Sequence, residues 1–337
     1  MIDWSTPKGW LPLIDWYQQQ ESYPWSNQND PYVIWVSETM LQQTTAATVK
    51  QRFLRWFEDF PTVEELARAT EAQVLKAWEG LGYYQRARNL YQASKIIAQE
   101  GWPQTPTEWQ RLPGVGPYAA RAISSFYNDY PVAAFDTNLK RILCRLECQS
   151  DWNKEVQARW EDRFTRLFSS SLPSGQLNAA LMRLGQVLCW VKNPRCATCP
   201  LKPLCLAYHQ GRQNEVPQPL AKPTLIRETL YPMFLMRGHP PALFLVKSKT
   251  RRFNNQYLPP FGAMGWWENP NFERIEFVGS FSHSVTNHRY TLVSWVAWVS
   301  ESPPELGEGQ WFNAQGLEQT PMSSVYRRII KRFMELG

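Results

Sequence analysis

The chain is poor in histidine and cysteine and has no long apolar run. No stretch approaches the roughly 20 apolar residues that a membrane-spanning helix needs, which excludes that class. The opening residues, MIDWSTPKGWLPLIDWYQQQ, have no basic stretch feeding an apolar one, so no secretory signal is read. Neither an internal repeat of fixed period nor a low-complexity tract is found, which excludes solenoids and disordered arrays. Six cysteines in 337 residues make a poor disulfide framework for a chain long enough to build its own cores. A cytosolic, reducing setting is expected, where clustered cysteines are more often metal ligands than disulfides.

What is present is basic and aromatic. Lys and Arg outnumber Asp and Glu by 36 to 30, a net charge of +6. That favours a polyanionic partner without requiring one. The 17 tryptophans serve as core or as stacking surfaces for bases, with core the default for any single one. The length suggests two domains. Residues 1–212 read as helical. In TVEELARATEAQVLKAWEGLGYYQRARNLYQASKIIAQEG, apolar residues recur at three- and four-residue steps. Gly80 and Gly82 break that run, which predicts two helices joined by a tight turn. Residues 213–224, QNEVPQPLAKPT, are Pro-rich and aperiodic and read as a linker. From 225 to 337 the pattern is α+β: ALFLVKS and YTLVSWVAWVS read as strands and RRIIKRFMEL as a closing helix.

Four of the six cysteines fall within CWVKNPRCATCPLKPLC: Cys189, Cys196, Cys199 and Cys205. Four thiolates suit zinc or an iron–sulfur cluster, and the donor chemistry alone leaves both open. Zinc fingers more often carry paired C-x-x-C knuckles, and only one such pair exists here. Lys192, Arg195 and Lys202 make the same loop basic, which suits phosphate contacts or plain solvation.

Two glycine turns stand before helices. LPGVGPYAARAI puts Gly114 and Gly116 ahead of a helix whose first N–H groups have no partner within it, a ready anion site. A plain tight turn reads the same way. GLGYYQRARN offers Tyr83 and Arg86 after a similar turn, an aromatic to wedge a duplex and a cation to hold its backbone.

Two carboxylates follow apolar runs. In PYVIWVSETMLQQT, Glu38 sits among Trp and Val, where desolvation disfavours its charged form. That suits a general acid near neutral pH. Gln42, four residues on, is expected on the same helical face. Asp136 in VAAFDTNLKR has Asn138 and Lys140 nearby. A protonated acid beside an ionised carboxylate is the pair that glycosidic cleavage needs. The plainer reading of Asp136 is a helix N-cap.

Taken together, YPWSNQNDPYVIWVSETMLQQT, WEGLGYYQRARNLY, LPGVGPYAARAI, FDTNLKRIL and the four-cysteine run resemble, in order and spacing, the MutY family of adenine DNA glycosylases. The resemblance is strong over about residues 10–210 and weaker over 225–337, which looks like that family's MutT-related domain. It implies a mainly α helix–hairpin–helix glycosylase domain, 1–212, with the hairpin at about 105–127 and a [4Fe–4S] loop at 189–205. The linker 213–224 and an α+β lesion-recognition domain at 225–337 follow.

The substrate so implied is duplex DNA with adenine opposite 8-oxoguanine or guanine, and the working unit a monomer in the cytoplasm at a bacterial nucleoid. Glu38 matches the family's general acid and Asp136 the carboxylate that stabilises the sugar cation, with Asn138 beside it. Tyr118 stands where endonuclease III relatives carry a lysine nucleophile, which implies a monofunctional enzyme. Gln42 and Tyr83 match DNA-contacting positions, and Arg86, Gly114, Gly116, Lys192 and Arg195 are expected to join them at the DNA backbone. GSFSHSVTNHRYTL resembles the lesion-reading segment, with His283, Thr286, Asn287 and His288 as its candidate hydrogen-bonding residues, although Val285-Thr286-Asn287 replaces the familiar Phe-Ser-His. The acidic signature with which MutT-type hydrolases hold Mg²⁺ is missing, so pyrophosphohydrolase activity is not expected. Two departures fall in LNAALMRLGQVLC: Ala179 stands where the family has Glu or Gln, and Arg183 where an acid is common. They leave two alternatives, a non-catalytic iron–sulfur lesion-binding module and an endonuclease III-like glycosylase and lyase.

Overall fold

The computed structural model describes residues 4–26, 28–169, 172–218, 224–248, 256–265, 268, 272–285, 287–300, 309–320 and 322–334. By contacts the chain divides into two compact units, 1–67 with 89–221, and 68–88 with 222–337. No described helix is long and apolar enough to cross a membrane.

The helices in chain order are α1 (Leu11–Gln18), α2 (Pro31–Leu41), α3 (Ala46–Asp59), α4 (Val63–Arg68), α5 (Glu71–Ala77), α6 (Gln85–Glu100), α7 (Pro106–Trp109), α8 (Pro117–Asn128), α9 (Thr137–Glu147), α10 (Lys154–Ser169), α11 (Ser174–Val187) and α12 (Leu206–His209). The run 62–101 thus holds three helices, not the two expected. The additional break is local chemistry. Thr70 accepts from the Gln73 amide while the Gln73 side chain accepts from the Thr70 amide, a capping box that starts α5 two residues after α4 ends.

The helical unit is built around tryptophan. Trp10, the N-cap of α1, and Leu13 within it pack with Leu139 and Leu143 of α9, Trp160 and Phe164 of α10, and Leu181 of α11. Trp10, Trp35, Trp56, Trp109 and Trp160 are each under 2 % exposed. Each such ring hides on the order of 150–250 Å², about 4–6 kcal/mol of transfer free energy. These rings are therefore scaffold, and they are not available to stack on bases.

The second unit carries seven described strands: β1 (Ile226–Arg237), β2 (Ala242–Lys247), β3 (Tyr257–Leu258), β4 (Phe261–Gly262), β5 (Arg274–Val285), β6 (His288–Trp298) and β7 (Gly309–Phe312). The sheet order is β3-β2-β1-β6-β5, with β4 on β1 and β7 on β2. β1 and β6 run parallel and the other pairs antiparallel, which makes the sheet mixed. Helices α13 (Ala314–Gln319) and α14 (Ser324–Met334) follow. Val325, Tyr326, Ile329 and Phe333 line the buried face of α14 and join Phe234, Leu245 and Val296 of the sheet. A helical part followed by an α+β part is the class read from the sequence.

The Gly-Val-Gly turn separates α7 from α8, and its two glycines do different jobs. Gly114 has φ +80°, and a Cβ there would lie 2.6 Å from the Asn89 Cβ. Both backbone and space demand glycine. Gly116 has an ordinary extended backbone, φ −81°, and nothing within 4 Å of its missing Cβ. What its bare backbone provides is an uncovered start to α8. Gly114→Ala is expected to lower unfolding free energy by about 1–3 kcal/mol, and Gly116→Ala by under about 1 kcal/mol, in urea titrations. Similar losses at both positions would contradict this division.

Candidate active site

The site lies wholly within the helical unit, where α2 packs on α8, α8 on α11 and α11 on α9. The Asp30 carboxylate starts α2 by accepting from the Tyr32 amide at 2.8 Å, and Pro31 fixes its first turn. The helix is apolar on most sides, with Ile34, Trp35, Val36 and Met40 buried. Half-buried Glu38 rises from this apolar wall. Burial, and secondarily the charge of Asp136, push its carboxyl up to about 7.

Three helices bring partners to it. Tyr118, in the first turn of α8, donates its hydroxyl to Glu38 Oε2 at 3.5 Å and reaches Met182 Sδ of α11 at 3.7 Å. Burial and the two carboxylates hold the Tyr118 hydroxyl well above its ordinary pKa, so it stays a neutral donor. Asp136 caps α9, accepting from the Leu139 amide at 2.6 Å and from Asn138 Nδ2 at 2.8 Å. The N-cap reading of Asp136 holds, and the two bonds fix both of its oxygens while its charge is felt at Glu38. Burial lifts Asp136 too, but the Leu139 amide, Asn138 and Arg141 pull it back, so Glu38 is the member of the pair that keeps a proton.

A second layer was not read from the sequence. Asn178 of α11, almost fully buried, accepts from the Ala134 amide at 3.0 Å and donates to Val132 O at 2.9 Å, fixing the segment that leads to Asp136. Arg141 donates to Asn138 Oδ1 at 2.9 Å, Gly185 O at 3.0 Å and Cys189 O at 2.8 Å. Arg145, one turn on, donates to Cys189 Sγ at 3.1 Å, Trp190 O at 2.6 Å, Val191 O at 2.9 Å and Val216 O at 2.9 Å. The signal for them was available: KRILCRLE places two arginines four apart inside an apolar helix, where only carbonyls, thiolates or carboxylates could receive them.

Cys189, Cys196, Cys199 and Cys205 line one pocket together with Arg145 and Lys202. Burial, and to a lesser degree the other cysteines of the group, raise Cys196, Cys199 (to about 12) and Cys205 (to about 11). Four sulfurs on one pocket, without histidine or carboxylate, form a soft, electron-rich donor set. Among the described residues, no three His, Cys, Asp or Glu side chains converge as a holder for a single metal ion. Such a donor set suits zinc or an iron–sulfur cluster. In the same loop Lys192 is exposed, and the Arg195 guanidinium lies 4.3 Å over the Trp190 ring.

Other expected residues are placed differently from the sequence reading. α2 ends at Leu41, and Gln42 is an extended C-cap followed by Gln43 at φ +56°. Gln42 therefore leaves the helix rather than continuing the face of Glu38. Tyr83 is 41 % exposed, on a turn in the second unit. Arg86 turns inward there, donating to Leu81 O at 2.8 Å and Gly82 O at 3.2 Å.

In the second unit, β5 and β6 form a hairpin with Val285 opposite His288. His283 pairs with Tyr290 in that ladder, Asn287 Nδ2 donates to Thr224 O at 3.1 Å, and His288 Nδ1 is 2.7 Å from Glu228 Oε1. Thr286 lies outside the described residues.

An unfolded glutamate titrates near 4.5, and Glu38 in the fold near 7. Between those values the folded chain holds more proton than the unfolded one, so stability falls as pH rises through that window and stays low above it. Glu38→Gln is therefore expected to raise stability by about 1–3 kcal/mol at about pH 8 and by little at about pH 4. Parallel melting curves at both pH values would refute a buried, protonated Glu38.

Residues 36–166 match the profile of the HhH-GPD superfamily base excision DNA repair protein. The chain is 29 % identical over 345 residues to the adenine DNA glycosylase of Buchnera aphidicola subsp. Baizongia pistaciae, covering 95 % of this chain and 96 % of that one. The adenine DNA glycosylases of Rattus norvegicus and Homo sapiens are 35 % and 33 % identical over 61 % and 60 % of this chain. The chain spans only 43 % and 40 % of those two proteins. Among solved structures, a thermostable thymine-DNA glycosylase is similar in fold, with TM-score 0.54 and 24 % identity over 59 % of this chain and 94 % of that one. Residues 36–166 are thus similar to HhH-GPD base excision DNA repair proteins, and the chain along nearly its whole length is similar to an adenine DNA glycosylase.

Proposed function

We propose that this protein hydrolyses the N-glycosidic bond of adenine mispaired with 8-oxoguanine or guanine in duplex DNA, without cleaving the strand. The observation that carries the reading is a carboxyl held near pKa 7 in apolar surroundings, hydrogen-bonded by a neutral tyrosine and set against a capped carboxylate. The names of the relatives, all adenine DNA glycosylases, support it.

The target atom is out of reach inside a base stack, so the nucleotide must be extruded into the pocket. Tyr118 engages Glu38 Oε2, which leaves Oε1 and its proton for the base. Glu38 delivers that proton to adenine, the glycosidic electron pair leaves with the base, and the sugar becomes an oxocarbenium ion. Asp136, held rigid by Leu139 and Asn138, stabilises that cation. Water adds to the sugar carbon and gives its proton to the carboxylate. Tyrosine has no amine to form a Schiff base, so the reaction stops at the abasic site.

The four cysteines are read as the ligands of a [4Fe–4S] cluster. Held by these four thiolates, a cluster would order loop 189–205, on which Lys192 and Arg195 would be placed to meet phosphates. Arg145, donating to Cys189 Sγ, offsets the negative charge of a thiolate-bound cluster. The protein is read as a monomer acting on chromosomal DNA in the cytoplasm. Residues 225–337 are read as the MutT-like domain that recognises the partner base.

The test is single-turnover base release from duplexes with adenine opposite 8-oxoguanine or guanine, each with and without alkali. Alkali-dependent cleavage at adenine, faster opposite 8-oxoguanine and lost by at least about a hundredfold in Glu38→Gln, is expected. Cleavage without alkali would mean a lyase, and tight binding without release would mean a lesion-binding module. For the cluster, Cys199→Ser is expected to lose iron, acid-labile sulfide and visible absorbance. One zinc per chain in the wild type, without sulfide, would replace the iron–sulfur reading.

A further inference from the structure

Residues 68–88 interrupt the helical domain in sequence but group by contact with the C-terminal unit. This segment carries the turn that presents Tyr83. The turn is stiff. Gly80 and Gly82 take φ +92° and +68°, and Tyr83 itself is left-handed at +48°. Trp78, fully buried, donates from Nε1 to Gly82 O at 2.9 Å. The Arg86 guanidinium braces the same turn from inside, 5.2 Å from the Trp78 ring and 5.8 Å from the Tyr83 ring. A bulky residue at positive φ is strained backbone, which persists only where its surroundings over-determine it.

Two attachments fix this turn to the C-terminal unit. The buried Tyr84 hydroxyl donates to Met322 O at 2.8 Å, across 238 residues of sequence. Glu79 forms an ion pair with Arg327 of α14. Arg327 is itself positioned, donating to Leu317 O at 2.8 Å and Thr320 O at 2.5 Å. Lys76, 3.0 Å from Glu79, holds the carboxylate from the other side. α14 is in turn locked to the sheet by Val325, Tyr326 and Ile329. The sites next to the exposed ring are thus gripped by the part of the protein read as contacting the partner base.

We propose that Tyr84 and the Glu79–Arg327 pair are positioning residues through which the C-terminal unit sets the Tyr83 turn, so that partner-base recognition and wedging by Tyr83 occur as one rigid-body event. The role in discrimination rests on the function proposed above; the attachment itself does not. Neither Tyr84 nor Glu79 touches substrate on this reading. They act through the orientation of the neighbouring ring.

The test uses the full chain carrying Glu79→Gln and Tyr84→Phe together, which keeps both shapes while removing the charge and the hydroxyl. Hydrogen exchange is read at the Leu81 and Arg86 amides, which donate to Trp78 O and Tyr83 O. These amides are expected to exchange at least about tenfold faster, while those of α2 and α9 keep their wild-type rates. Base release opposite 8-oxoguanine is expected to slow more than release opposite guanine, lowering their ratio about fivefold to tenfold. Glu79→Asp alone, which keeps the charge, is expected to keep the wild-type ratio. Unchanged exchange at Leu81 and Arg86 would overturn the attachment, and a loosened turn with an unchanged ratio would overturn its role in discrimination. A wild type that releases adenine equally opposite both bases would sink the lesion-reading function instead, leaving the exchange result to decide the attachment.

Discussion

Holding a carboxylic acid protonated near neutral pH requires that water be kept from it, and Glu38 meets this demand at the expense of the fold. Its pKa near 7 comes first from burial in the apolar surroundings of α2 and second from Asp136. Both contributions would be lost if α2 shifted. The buried tryptophans around it, with Asp30 and Pro31 at the helix start, exist in the arrangement as the rigid wall that prevents such a shift. Tyr118 answers a second need. A hydroxyl that donates to the carboxyl favours the charged form, so it must be weak enough to leave the proton in place, and at 3.5 Å it is.

The other carboxylate is organised from the opposite direction. Asp136 starts α9, and the buried face of that helix carries Arg141 and Arg145 into a bed of carbonyls and sulfur. Two buried cations would be strongly destabilising if left unpaired. Here their acceptors come from Asn138, Gly185, loop 189–191 and Val216. One consequence is mechanical: Cys189 and Asn138 share a single guanidinium, so the cysteine loop cannot move without pulling on the side chain that orients Asp136. Gly185 completes the fit, since a Cβ there would come within 2.5 Å of the Asn138 Cβ.

Much of this was legible because the signals are local. A glycine at positive φ before a helix, a carboxyl among tryptophans and four clustered cysteines each declare themselves within a dozen residues. Distant partners leave no such mark. Arg86 looks like a phosphate ligand in GLGYYQRARN, yet the carbonyls of Leu81 and Gly82 accept from it. Asn287 and His288 look like readers of a base edge, yet they bond Thr224 and Glu228, more than 50 residues away in sequence. Gln42 was misplaced for a subtler reason. Helical periodicity predicts its face only if the helix continues, and Gln43 at φ +56° ends it. The extra break before α5 was hidden likewise, because Thr70 and Gln73 form a capping box inside an otherwise unbroken apolar rhythm.

The departures at Ala179 and Arg183 then acquire a physical meaning. They stand four apart, on one face of α11, beside Met182, which Tyr118 touches. Arg183 does not point a lone charge at the pocket. It donates to the Tyr23 hydroxyl at 2.5 Å, and its guanidinium lies 4.7 Å from that ring. Tyr23 stacks on Trp25 at 4.8 Å, and Trp25 meets the edge of Phe53. The arginine thus anchors an aromatic ladder in the segment that precedes α2. This face of α11 therefore carries a methyl group at Ala179 and, through Arg183, a braced aromatic wall. A wall of that kind selects by shape, and shape rejects a wrong base more weakly than an unmet hydrogen bond does. On the function proposed above, discrimination between bases falls to the shape of this wall together with the geometry in which Glu38 presents its proton.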